Sequence, residues 1–246
     1  MKRKAILIES SNLDRQQDLP GARADVESFR RFLRSDAGGD WYDDEIVILH
    51  KPSYQDLQRE LDRASSCDYS FITFSGHGEH VQGKTVDETR VCLNEETDLA
   101  AHRLNPGNDK CTILIDACRN VVPERVTEQY ARSAMLKFAL NSGKTGHRRI
   151  FDLAVAKCEI GPVFLYSCNL NESAGENDNG GFFSTFMVSE AENWFERCND
   201  SGNVYLSMRS AFNRASPATT RRQPQQHPQY EEGRRQNSFP FAVYVP

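Results

Sequence analysis

Short runs of continuous apolar residues alternate along the chain with segments whose apolar positions recur every three or four residues. Ala5 to Ile8 is an unbroken apolar run, the pattern of a strand buried on both faces. After a turn-prone loop, Val26, Phe29, Phe32 and Leu33 recur at helical spacing, and Gly38-Gly39 ends the segment. The alternation then repeats. Glu45 to Leu49 is strand-like, Tyr54 to Ala64 is helical with Leu57 and Leu61 inward, and Tyr69 to Phe74 is a third buried strand. Cys111 to Ile115 and Val163 to Tyr166 supply a fourth and a fifth, followed by a helix over about Phe182 to Cys198. Strands separated by helices imply right-handed crossovers and parallel pairing. The expected fold is α/β, a doubly wound three-layer sandwich around a mostly parallel sheet of about six strands.

Two regions break the pattern. Residues 121 to 161 carry many basic groups (Arg125, Arg132, Lys137, Lys144, Arg148, Arg149) around a helix-compatible middle near Ala134 to Leu140. Residues 216 to 240, with Pro217, Pro224, Pro228 and Pro240, read as a polar connector before a last strand, Phe241 to Val245, at an edge of the sheet. No internal repeat is visible.

Composition narrows the function classes. A chain of 246 residues with 38% apolar and 26% charged positions fits one sizeable globular domain. With 30 basic and 35 acidic residues the formal charge is −5, so no global positive field exists to hold a phosphate backbone, and nucleic acid is not an expected partner. The seven cysteines are scattered without a CxxC pair, which supports neither a disulfide framework nor a metal site. The apolar run behind the basic N-terminus stops at Glu9, too short for a signal sequence, and no stretch is long enough to cross a membrane. A reducing cytoplasm is the expected location.

In an open α/β sheet, ligands bind beyond the carboxyl ends of the strands. The third strand ends in Ser75-Gly76-His77-Gly78-Glu79 and the fourth in Asp116-Ala117-Cys118-Arg119-Asn120. Glycines on both sides let the backbone turn sharply at His77 and leave its imidazole over open space. Alone, that motif also fits a solvated loop histidine, and Cys118 alone fits an inert core thiol. Together they form the pair in which an imidazole takes a thiol proton and makes a nucleophile, with Arg119 close by as a further positive charge. The other six cysteines, at 67, 92, 111, 158, 168 and 198, lack such a partner and read as packing residues.

These two motifs, each behind a hydrophobic strand, resemble those of the caspase and metacaspase superfamily. Downstream, Ser167-Cys168-Asn169-Leu170-Asn171-Glu172-Ser173-Ala174 and Gly180-Gly181-Phe182-Phe183-Ser184 resemble the small-subunit half of bacterial caspase-like domains. The resemblance implies a single peptidase domain over 1–246: a large-subunit-like part at 1–120, a linker-like loop at 121–161 and a small-subunit-like part at 162–246. It further implies that Cys118 is the nucleophile, His77 the general base and later acid, and the backbone amides of Gly78 and Cys118 the oxyanion donors. No third triad member is evident.

Asp116 stands where animal caspases carry glutamine and metacaspases an acid. The resemblance therefore implies a primary pocket made by Asp116, Ser75 and Asp25 that pairs with a substrate arginine, or less well a lysine; a carboxylate is the natural bidentate partner of guanidinium. Asp25 equally fits a first-turn helix acid. Glu172, Glu176 and Asp178 read as solvated loop acids. Metacaspases usually follow the nucleophile with His-Ser-Gly, whereas Arg119-Asn120 stand here, a closer fit to the broader prokaryotic group. No cofactor or metal is expected, with calcium activation left open. The partners expected are protein substrates and an activating protein, the effector being held inactive until that partner or a cut orders its loops, in regulated death, antiphage defence or processing. Two other readings stay open: a catalytically silent caspase-like binding module, and an unrelated flavodoxin-like domain. Against the latter, no phosphate-binding glycine loop follows the first strand.

Overall fold

The computed structural model describes residues 1–14, 16–123, 146–198 and 204–246. At its centre is a six-stranded sheet. Five strands run parallel: β1 (Arg3–Ser10), β2 (Ile46–His50), β3 (Tyr69–Gly76), β7 (Lys110–Asp116) and β9 (Gly161–Tyr166). The sixth, β13 (Gln229–Glu232), lies antiparallel to β9, giving the order β13-β9-β7-β3-β1-β2.

Because the central strands are apolar at consecutive positions, successive side chains serve two cores. Leu7, Phe71 and Leu114 point into one, beneath α1 (Pro20–Arg34), α3 (Gly146–Ala156), α4 (Phe182–Glu196) and α5 (Met208–Arg222). Ile6, Ile8, Ile72, Phe74, Ile113 and Ile115 point into the other, where α2 (Tyr54–Ser65) contributes Leu57 and Leu61. The helix ends have local causes. Pro20 opens α1, where its missing N–H costs nothing. Ser53 caps α2 by accepting the Asp56 N–H at 3.1 Å, and Ser207 caps α5 by accepting that of Ser210 at 3.1 Å.

A second sheet, not anticipated from the sequence, grows out of the carboxyl end of β3. It comprises β4 (Gly78–Gln82), β5 (Asp87–Asn94), β6 (Thr97–Ala100) and β8 (Val121–Pro123) in the order β6-β5-β4-β8. Its signal was present: Thr89, Val91 and Leu93 alternate and are all buried. Two short strands, β10 (Glu176–Asn177) and β11 (Gly180–Gly181), form a hairpin immediately before α4.

The C-terminal third corrects two expectations. The stretch 216–240 is not a plain connector, since it holds the end of α5 and the whole of β13. Pro217 sits inside α5, where burial of Ala211, Ala215, Ala218 and Thr219 outweighs the lost backbone bond. Polar Gln229-Tyr230-Glu231-Glu232 makes an edge strand because an edge needs few apolar contacts and its charges discourage further pairing. The final apolar run does not join the main sheet; β14 (Pro240–Val243) pairs antiparallel with β12 (Tyr205–Ser207), and Phe241 is buried against Phe32 and Phe71. Within 121–161 the expected helical middle near 134–140, with Arg125, Arg132, Lys137 and Lys144, lies outside the described residues. Arg148 is no loop cation: it is buried in α3 and donates to Glu45.

Phe71 lies in the central strand between Phe29 and Phe241, with ring centroids 5.8 and 6.2 Å away. Phe71→Ala is expected to cost about 3–5 kcal/mol in urea unfolding, because the central sheet cannot collapse into the void.

Candidate active site

Hydrogen-bond register decides which residues meet at the carboxyl edge. β3 pairs with β7 from Ser70↔Cys111 to Ser75↔Asp116, and β4 pairs with β8 from His80↔Val121. Both ladders share one offset of 41 residues, which carries His77 opposite Cys118 in the unpaired gap between them. The gap opens at Gly76, whose φ of +156° and a Ser10 carbonyl 2.6 Å from where its Cβ would stand leave room only for glycine. Gly78 is equally confined, its Cβ position lying 2.9 Å from the Ala117 Cβ and 3.0 Å from the Cys118 carbonyl.

His77 is half-buried, and its Nε2 lies 2.7 Å from the Gln17 carbonyl. A carbonyl can only accept, so Nε2 carries the proton and Nδ1 keeps the free lone pair of the neutral ring. The backbone of Gln17 is thus an orienting group that no sequence motif could reveal, since any residue type carries it.

Cys118 is half-buried, with Sγ 3.9 Å from the Ala174 carbonyl. The loop after β9 cradles it. The Arg119 N–H donates to the Glu172 carbonyl at 2.9 Å, the Asn171 N–H to the Arg119 carbonyl at 2.8 Å, and the Ala117 N–H to Ser167 Oγ at 3.2 Å. Arg119 does not supply positive charge to the groove. Its guanidinium turns inward, donates to Thr89 Oγ1 and the Cys168 carbonyl, and lies 4.0 Å from the Tyr166 ring centre. It braces the loop after β7 against β5 and β9.

Beside the two motifs lies a buried acidic cluster. Asp25 accepts from Ser75 Oγ at 2.5 Å and from the Gly181 N–H at 3.0 Å. Asp116 accepts from the Ser184 N–H and Oγ, at 3.1 and 2.6 Å, at the start of α4. A helix N-terminus favours negative charge, and α4 has no acid of its own in its first turn. Gly180 and Gly181 make the space: a Cβ on Gly181 would collide with the Asp116 carboxylate, and one on Gly180 would stand 2.5 Å from Asp25 Oδ1.

Burial pushes the Asp25 carboxyl well above the usual range, and the neighbouring Asp116 charge adds to this against the hydrogen bonds from Ser75 and Gly181. Burial also raises Asp116, opposed by Ser184 and Ser167. Glu176, expected in solvent, joins the pocket. Burial first, and then the charges of Asp116, Asp18 and Asp178, raise it to about 7 against a hydrogen bond from the Gly21 N–H. Its neighbours behave differently. Glu172 clasps the Asn169 N–H and both the N–H and Nδ1 of His227, and Asp178 is exposed.

Two buried carboxyls with raised folded-state pKa values make stability fall as pH rises from the ordinary carboxyl value, and the fall levels off once pH passes the folded-state value. Asp25→Asn is therefore expected to flatten the fall of the urea midpoint as pH rises above the ordinary carboxyl range; an unchanged slope would show that Asp25 is already ionised in the folded protein.

The profile of the caspase domain family matches residues 2–239. Among solved structures, the chain is similar to caspase-1 from Spodoptera frugiperda at a TM-score of 0.57 and 12% identity, over 99% of this chain and 89% of that one. No curated protein sequence matches significantly.

Proposed function

The chain belongs to the caspase domain family, and we propose that it is a cysteine endopeptidase that cuts after arginine, and less well after lysine, with His77 and Cys118 as its catalytic pair. The observation that carries this reading is the shared register on either side of the strand gap, which sets the imidazole and thiol segments side by side. His77 takes the Cys118 proton at Nδ1 while the Gln17 carbonyl holds Nε2. The sulfur then attacks the peptide carbonyl, the protonated imidazole hands its proton to the leaving amine, and water releases the acyl enzyme by the same path in reverse. The amides of Gly78 and Cys118 are the donors proposed for the oxyanion, a role commonly worth about 3 kcal/mol of transition-state stabilisation.

The preference for a basic residue rests on the convergence of Asp25, Asp116 and Glu176. All three carboxyls are raised by burial, and Asp25 and Glu176 also by neighbouring acids, so the cluster lacks a counter-charge. An arriving guanidinium offers the missing counter-charge and shares its donors among several oxygens. Ser75 acts at second hand, by orienting Asp25. Protein substrates follow from the family; a defence or death role and an activating partner remain expectations of the sequence resemblance.

Fluorogenic peptides that differ only at the residue before the cut test both halves. Arginine should exceed lysine, aspartate should not be cleaved, Cys118→Ala should abolish turnover, and Asp116→Ala should reduce the preference for arginine by at least tenfold. Cleavage after aspartate would refute the pocket assignment and spare the nucleophile.

Glu176 adds a pH signature. Its carboxyl is neutral below about 7 and charged above. The ratio of kcat/KM for arginine over glutamine peptides cancels the ionisation of the catalytic pair, so this ratio should climb as pH passes through about 7. In Glu176→Gln, which keeps an acceptor for the Gly21 N–H, it should stay flat.

A further inference from the structure

Glu9 is a buried carboxylate at the carboxyl end of β1 that neither the nucleophile nor the acidic pocket uses. Burial alone would raise its pKa, yet hydrogen bonds from Ser11 and His50 hold it below the usual value, so it is a fixed negative charge at neutral pH. Its Oε1 accepts both the N–H and the Oγ–H of Ser11, and its Oε2 lies 2.8 Å from His50 Nδ1, which must therefore donate.

Ser11 starts the loop that ends at α1. Its carbonyl accepts the Leu19 N–H at 3.2 Å, closing the loop at its base, and its Oγ accepts from Arg23 at 3.3 Å. Within the closed loop, Leu13 is buried and Gln16 Nε2 approaches Cys92 Sγ at 3.9 Å. The next residue, Gln17, presents the carbonyl that holds His77 Nε2. The other side of the histidine is fixed from the same strand end: Ser10 Oγ donates to the Leu93 carbonyl, the Ser10 carbonyl crowds Gly76, and the Cys92 N–H holds the His77 carbonyl at 3.0 Å.

We infer that Glu9 is a positioning residue for the reaction: through Ser11 it clamps the base of the loop whose Gln17 carbonyl sets the tautomer and direction of His77. This rests on the reading of His77 and Cys118 as the catalytic pair. Glu9 is buried beneath the loop, so its effect is expected on the chemical step. A charged acceptor is required because Ser11 presents two donors to one oxygen while His50 occupies the other; an amide meets that demand poorly.

Glu9→Gln and Ser11→Ala provide the test, the second removing only one hydroxyl from a loop that keeps its backbone closure. On an arginine peptide, kcat is expected to fall tenfold or more in Glu9→Gln and about fivefold in Ser11→Ala, with KM within twofold of wild type in both. The rate of iodoacetamide alkylation at Cys118, followed on its tryptic peptide by mass spectrometry, should fall in parallel, because a drifting imidazole makes less thiolate. Substrate plays no part in that second measurement. Unchanged kcat and alkylation in both variants, beside an inactive Cys118→Ala, would overturn the inference and leave the catalytic pair standing. A raised KM at unchanged kcat would also overturn it, by making the loop a wall of the substrate cleft. Turnover by Cys118→Ala would remove the pair and the inference together.

Discussion

The parallel ladder between β3 and β7 is the constraint on which everything else depends. Six consecutive residue pairs at one offset fix where each strand stops, and the ladder of β4 with β8 resumes at the same offset beyond the gap. A slip of one residue would send every side chain of a strand to the opposite face. Here it would also exchange apolar positions between two filled cores, which the burial of Phe71, Ile72, Leu114 and Ile115 forbids. Core packing therefore sets the backbone segments of His77 and Cys118 side by side.

Around that fixed pair, the walls come from segments remote in sequence. The nucleophile loop is laced to residues 167–175 through Arg119, Ala117 and Asn120; the histidine is held from residues 10–17; the acidic pocket draws on α1, β7, β10 and α4. Loops of this kind have few apolar contacts of their own, so their precision must come from hydrogen bonds. Glu9 and Arg119 play that part on opposite sides of the groove: each is a buried charge with its donors or acceptors satisfied, and each joins a strand end to a loop. A buried charge left without such partners would cost several kcal/mol, which is why these two are held by several hydrogen bonds each.

Much of the parallel core and the placement of both motifs were legible in the sequence, because a strand buried on both faces is an unbroken apolar run and its end is marked by glycine or charge. Asp25, Ser75 and Asp116 were legible only through resemblance; the structure brings Ser75 onto Asp25 and sets Asp116 close enough to raise it, a pairing across 50 residues that no local pattern encodes. What escaped falls into two physical kinds. Gln17 acts through its backbone, which composition does not record. Glu176, β13 and α5 look solvated by residue type, and only the neighbours supplied by the fold bury or pair them. The family match accounts for the architecture but says nothing about these particular groups, at 12% identity to the solved caspase.

The burial of the acidic cluster also sets a limit on stability. Asp25 and Asp116 cannot both be charged cheaply so near each other, and Gly180 and Gly181, which keep the space clear, add backbone freedom that folding must remove. The hydrogen bonds from Ser75, Gly181 and Ser184 recover part of that cost and leave the rest for a cation to neutralise. Under the proposed specificity, discrimination would arise less from affinity for arginine than from the penalty on side chains that bring no counter-charge.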